Sequence, residues 1–270
     1  MKIGLLTIFN VPNYGAMLQC YALSKVLTNM GHEVFLYNIP LSDTNRLAYR
    51  IKKVLKLNFM THFQKEYLPN MTNNLSEKAD IYLIGSDQVW NPDITGKVYD
   101  KYFFSFVPDD AKMISYAASF GTNKWMHPEL KERISSLLAR FNQITVREEN
   151  GIHILNVEFG INAKWVLDPC LLLDSYADFT FSSHVNDNYI ACYKLCYSKE
   201  WYHAISRFAK KKNSKLKELA SPKIKGLGPL RGFNTTNQSV QEWVSTIANA
   251  KYVLTDSFHG TVFSILFKEL

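Results

Sequence analysis

The chain of 270 residues has only four cysteines, at positions 20, 170, 192 and 196, and no two of them form Cys-x-x-Cys. That count and scatter exclude a disulfide framework, a zinc site of paired thiols and a thioredoxin-like redox pair, and point to reduced thiols in a cytoplasmic protein. Long apolar runs are missing too: the longest informative one covers residues 261–267, far short of the ~20 residues that span a bilayer. The apolar start at 3–9 runs into Asn10, Pro12 and Asn13 in place of a small-residue cleavage site, so it reads as a first strand and not as a signal peptide. There is no repeat of solenoid period and no low-complexity tract. Basic residues are not interleaved with aromatics in any RNA- or DNA-binding pattern, and nucleic acid is therefore not an expected partner.

What is present is ordinary globular material. Hydrophobic residues make up 47% and charged residues 20%, which argues against disorder and coiled coil. At about 150 residues per domain the length allows nearly two domains or one large α/β unit. Lysine and arginine outnumber aspartate and glutamate by 31 − 24, a net charge of +7, which favours anionic partners: phosphates, carboxylates or an anionic membrane surface.

Along the chain, strand and helix patterns alternate. Strands are expected at 3–9, 34–38, 81–84, 113–117, 144–146 and 164–167. Helices fit the i, i+4 spacing of Leu18, Ala22, Val26 and Met30, closed by Gly31, and residues 47–57, 128–141 and 148–159. This βαβ alternation indicates a doubly wound, mostly parallel sheet. The polar stretch 174–188 marks a boundary, giving an amino-terminal domain of 1–180 and a carboxyl-terminal one of 181–270. The second repeats the style, with strands at 189–196, 216–219 and 252–255, helices at 201–211 and 240–249, and a Gly/Pro-rich loop at 222–232. The chain stops at Leu270 within an apolar segment resembling a helix that wants a neighbour, so the second domain is expected to continue past it.

Ligands of open α/β sheets bind at the carboxyl ends of strands, which singles out four loops. Asn13, Tyr14 and Gly15 precede a helix start suited to an anion. In Gly85-Ser86-Asp87-Gln88-Val89-Trp90-Asn91, Asp87 offers a carboxylate to sugar hydroxyls and Trp90 a face for a pyranose, against an Asx-type turn as the plain alternative. Arg147, at a strand end, suits a carboxylate or phosphate, and a salt bridge to Glu148, Glu149 or Asp168 equally. The most pointed loop holds Asp256, Ser257, His259 and Gly260: an imidazole for proton transfer near neutral pH, an aspartate to orient it, and a glycine that lets backbone approach a ligand. The basic helix with Arg46, Arg50, Lys52, Lys53 and Lys56 suits a solvated face or an anionic membrane surface.

Taken in order, Asn13-Tyr14-Gly15-Ala16-Met17-Leu18-Gln19, the Gly85 to Asn91 segment, Ser115-Tyr116-Ala117-Ala118-Ser119-Phe120-Gly121, Val146-Arg147-Glu148, Val166-Leu167-Asp168-Pro169 and Thr255-Asp256-Ser257-Phe258-His259-Gly260-Thr261 resemble the polysaccharide pyruvyl transferase family. The resemblance implies two Rossmann-like domains in a glycosyltransferase-B-like arrangement with the site in their cleft. It implies transfer of the enolpyruvyl unit of phosphoenolpyruvate to a sugar of a cell-surface polysaccharide or its lipid-linked precursor, giving a pyruvate ketal. Phosphoenolpyruvate is then the donor substrate, with no cofactor and no metal.

His259 is expected to be the acid/base group with Asp256 orienting it. Arg147, Asn13, Tyr14, Gly15, Ser257 and Gly260 are expected on the donor, and Asp87, Trp90, Asn91 and Asp168 on the acceptor. One departure stands out: some relatives have Arg-Leu-His-Gly where this chain has Ser257-Phe258-His259-Gly260. The implied location is the cytoplasm, with peripheral contact at the inner face of the membrane, and an oligomer is allowed. The alternatives are a glycosyltransferase-like enzyme using a nucleotide sugar and a non-catalytic glycan-binding or assembly protein, since fold does not fix the donor.

Overall fold

A computed structural model describes residues 1–11, 13–41, 61–180, 188–195, 198–219 and 238–267. The basic helix expected at 47–57, the loop at 222–232, and Cys196 lie outside them. The chain divides into two compact units, one of Met1–Val11, Ala16–Val54 and Gln64–Leu173, the other of Pro12–Gly15, Leu55–Phe63 and Asp174–Leu270. The division falls at the start of the polar stretch, but short segments around Tyr14 and Phe63 group with the second unit, which no linear boundary anticipates.

The first unit is built on a parallel sheet of β1 (Lys2–Leu6), β2 (Glu33–Tyr37), β3 (Met71–Thr72), β4 (Ile81–Ile84) and β5 (Met113–Ser115) in the order β3-β2-β1-β4-β5. A second parallel pair, β6 (Thr145–Val146) and β7 (Lys164–Trp165), joins the β5 side through bridges from Ile114 to Gln143 and from Ala118 to Val146. This is the order of a doubly wound sheet, and it reverses between β1 and β4.

Ile81, Tyr82, Leu83 and Ile84 are all buried, the continuous apolar run of a strand covered on both faces. Helix α1 (Tyr14–Asn29) is buried over its whole first half and exposed at its end, and Gly31 closes it at φ +84°, a left-handed turn at which a side chain would be strained. Met30, expected on the apolar face, lies past the last helical residue and is exposed. The helix expected at 128–141 is a 3₁₀ turn, Pro128–Leu130, followed by α2 (Lys131–Leu138), with Ile134, Leu137 and Leu138 buried at i, i+3, i+4. Helix α3 (Glu149–Phe159) ends on Gly160 in the left-handed conformation.

The second unit has a parallel sheet of β8 (Tyr189–Tyr193), β9 (Lys215–Glu218) and β10 (Tyr252–Thr255) in the order β10-β8-β9, so its order reverses between β8 and β10. Strand β8 is central and wholly buried. Helix α4 (Lys199–Lys211) is capped by the Ser198 hydroxyl, and α5 (Val240–Ala248) opens on a capping box in which Ser239 and Glu242 satisfy each other's backbone amides. Val240, Trp243, Val244 and Ile247 bury the inner face of α5. The last described helix, α6 (Phe258–Phe267), buries His259, Gly260, Val262 and Phe263.

Candidate active site

In the first unit the reversal point is tied together by Gln19 and Thr7. The buried Gln19 amide donates to Thr7 Oγ1 at 2.9 Å and to the carbonyls of Ile8 and Ala16, and Thr7 Oγ1 donates to the Ser86 carbonyl at 2.7 Å. The loops leaving β1 and β4 are thereby locked to each other before any ligand arrives.

Arg147 follows β6 and is 7% exposed. Its Nε donates to Glu148 Oε1 at 2.7 Å, its Nη1 to Asp168 Oδ2 at 3.3 Å, and its Nη2 stands 3.6 Å from Asp87 Oδ1. Burial alone would lower the affinity of the guanidinium for its proton, but Asp87, Glu148 and Asp168 more than offset it and hold the group charged. Three carboxylates already surround this one guanidinium, which favours the salt-bridge alternative over the expected donor grip of Arg147. Asp168 is likewise taken up internally: Oδ2 accepts from Ser86 Oγ at 2.8 Å, Oδ1 caps the Pro169–Leu171 turn through the Cys170 amide, and the carboxylate is fully buried.

Trp90 also departs from expectation. It is fully buried, stacked on Phe103 with ring centroids 5.5 Å apart, and its indole N–H donates to the Tyr102 carbonyl. It belongs to the core and offers no face to a pyranose. Asn91 is 7% exposed and caps the helical turn Pro92–Thr95, Oδ1 accepting from the Asp93 amide and Nδ2 donating to Gln88 Oε1. Asp87, at φ +72°, keeps part of its carboxylate exposed beside Arg147, with Oδ1 accepting from the Gln88 amide. Of the four expected acceptor residues, Asp87 alone retains an accessible polar group.

The second unit gathers the other motif ends. Gly15 and His259 are in direct contact: a Cβ built on Gly15 would come within 2.7 Å of His259 Cβ and overlap the imidazole at Cγ and Nδ1. His259 is 6% exposed and lies in the first turn of α6. Beside Gly15, Tyr14 stacks on Trp243 (5.3 Å, 14° between planes), packs edge-on to Tyr193, and donates its hydroxyl to the Gln238 carbonyl at 2.9 Å. Burial raises the Tyr14 phenol well above its ordinary value, so it stays protonated.

Ser257 accepts from the Gly260 amide at 3.3 Å and so caps α6, while Gly260 makes room for Thr255 and Tyr193, which a Cβ would meet at Thr255 Oγ1 and, at 3.1 Å, Tyr193 Cδ1. Close packing against protein, and not approach of a ligand, accounts for this glycine. Asp256 is engaged by the two residues that follow β8: Oδ2 pairs with Lys194 Nζ at 2.5 Å and Oδ1 accepts from the Leu195 amide at 2.7 Å. The residue expected to orient His259 thus binds a lysine that sequence spacing did not single out. The strand expected at 189–196 ran past this lysine, whereas the observed strand ends at Tyr193 and leaves Lys194 one residue beyond it.

The family model for polysaccharide pyruvyl transferase matches residues 13–268. No curated protein sequence matches the chain. Among solved structures, the chain is similar to spinosyn forosaminyltransferase SpnP, at 11% identity over 98% of this chain and 76% of that one, with a TM-score of 0.41. It is also similar to SsfS6, a glycosyltransferase of Streptomyces sp. SF2575, at 12% identity over 98% and 78% of the two chains, with a TM-score of 0.37.

Proposed function

Because this chain belongs to the polysaccharide pyruvyl transferase family, and is accordingly a transferase with a saccharide acceptor, we propose that it moves the enolpyruvyl unit of phosphoenolpyruvate onto a sugar of a cell-surface polysaccharide or its lipid-linked precursor. The acceptor in that case is met at the inner face of the membrane. Among the described residues no helix is long and apolar enough to cross one.

The observation that carries the donor chemistry is the seating of His259 against Gly15 at the mouth of α6, which joins the first and last motifs of the chain within one unit. In the proposed reaction His259 supplies the proton that adds to the methylene carbon of the enol phosphate, leaving a cationic centre stabilised by the bridging oxygen. One sugar hydroxyl adds to that centre. A second displaces phosphate and closes the ketal, one hydroxyl proton returning to His259 and the other leaving with the released phosphate. Asn13, Tyr14 and Gly15 with the α6 amino terminus form the donor's cradle, Ser257 and Gly260 acting through the shape they give that helix end. Lys194 supplies the cation that Ser257 does not, and Asp256 holds it in place.

Phosphate release from phosphoenolpyruvate, measured with a panel of lipid-linked and artificial glycosides, tests the reading. Release that needs both donor and glycoside is the expected result; none with any glycoside overturns it.

A further inference from the structure

Trp165 closes β7 and is 61% exposed, whereas Trp90, the expected sugar platform, is buried. An exposed apolar side chain is by itself ordinary, but three features separate this one from a bystander. Its indole N–H donates to the Arg147 carbonyl at 2.8 Å, so the polar atom is satisfied inward and what remains outward is ring surface. The ring is also fixed before any ligand arrives, which lowers the entropy lost on binding. Second, the residue stands at the carboxyl end of a parallel strand paired to β6, where α/β sheets hold their ligands. Third, the carbonyl that pins it precedes Glu148, whose Oε1 is held by Arg147 Nε at 2.7 Å and Ser119 Oγ at 2.8 Å. The Glu148 side chain is 33% exposed, and Oε2 carries no hydrogen bond among the described residues.

A fixed aromatic face and a fixed carboxylate, both held by Arg147, supply the chemistry of pyranose recognition: the ring C–H face stacks, and a hydroxyl donates to the carboxylate. We infer that Trp165 is the stacking platform for a pyranose ring of the saccharide acceptor, with Glu148 accepting from one of its hydroxyls. This rests on the saccharide-acceptor reading but not on phosphoenolpyruvate as donor.

The test is saturation-transfer NMR on the whole chain with the methyl β-pyranosides of galactose, glucose, mannose and N-acetylglucosamine, for wild type, Trp165→Ala and Trp165→Phe. At least one glycoside should receive saturation on its ring C–H protons from wild type. Its affinity should fall about tenfold in Trp165→Ala, the worth of one stacked ring, and recover in part in Trp165→Phe, which restores a ring but not the N–H that fixes it, with unchanged thermal unfolding in all three. Equal binding by wild type and Trp165→Ala, or binding of no glycoside by wild type, overturns the inference. Retained glycoside binding without phosphate release would instead overturn the donor assignment alone.

Discussion

Gly15 and His259 occupy each other's only room: no side chain larger than hydrogen fits at position 15 while the imidazole keeps its place. The two lie 244 positions apart in sequence (259 − 15), one in the first turn of α1 and the other in that of α6.

Gly15→Ala should therefore displace the imidazole. The helix itself would gain slightly from alanine, so the unfolding temperature is expected to hold or change by a few degrees while phosphate release falls at least ~10-fold, as misplaced catalytic groups do. Wild-type turnover in Gly15→Ala would show that this contact does not position the histidine.

His259→Ala should lower turnover by roughly 10²–10⁴, the range for removing a general acid. Combined with Gly15→Ala it should cost little more than His259→Ala alone, because both act on one group. Turnover rates of the two single variants and the double variant measure this, and full additivity would count against it.

Arg147→Ala should act on stability first. It leaves the buried Asp168 carboxylate facing the Ser86 hydroxyl and the Cys170 amide without its cation, at a cost of about 3–5 kcal/mol, read from urea unfolding midpoints. Arg147→Lys should recover only part of it, since one ammonium does not reproduce the fork that meets Glu148 and Asp168 together. Native stability with a raised donor KM would return Arg147 to the donor site.

Trp90→Ala should cost about 3–5 kcal/mol, as for a large buried aromatic. At temperatures where the variant is folded, acceptor KM should stay near the wild-type value. A large acceptor effect at full stability would restore Trp90 as a sugar contact.

Alkaline pH should unfold the protein through its buried thiols. Burial first, then the nearby Glu218, raises Cys192 from 9.0 to about 12, and burial raises Cys20 as well. A folded-state value above the unfolded one means that the unfolded chain holds fewer protons in this range. The contribution is therefore flat below pH ~9 and stability falls as pH rises from there toward 12. Urea midpoints at stepped pH check the slope, and mass mapping of iodoacetamide labelling at pH 8.5 should find native Cys20, Cys170 and Cys192, all buried, unmodified. Labelling of these three at the rate of the unfolded chain would refute the burial.

Strand and helix positions were legible because they rest on local signals. Ile81 to Ile84 is a bare apolar run and Gly31 closes a helix, each within a few residues of chain. The motif order likewise sufficed for the family, since it needs only residue identities. Roles at the site depended on partners far away in sequence. Trp90 follows a strand, Trp165 ends one, and both offer the same indole; packing against Phe103, Phe120 and Phe141 buries the first, and the Arg147 carbonyl pins the second in the open.

Arg147 and Lys194 show the same for charge. Sequence marks the first as a cation past a strand end and leaves the second inside an expected strand, whereas the folded chain surrounds the first with three carboxylates and pairs the second with one. A side chain's type is written locally, but its exposure and its net electrostatic surroundings are sums over neighbours that the chain collects only on folding. Sequence alone therefore determined the α/β alternation and the family, and tertiary structure decided which of the marked residues remain open to a ligand.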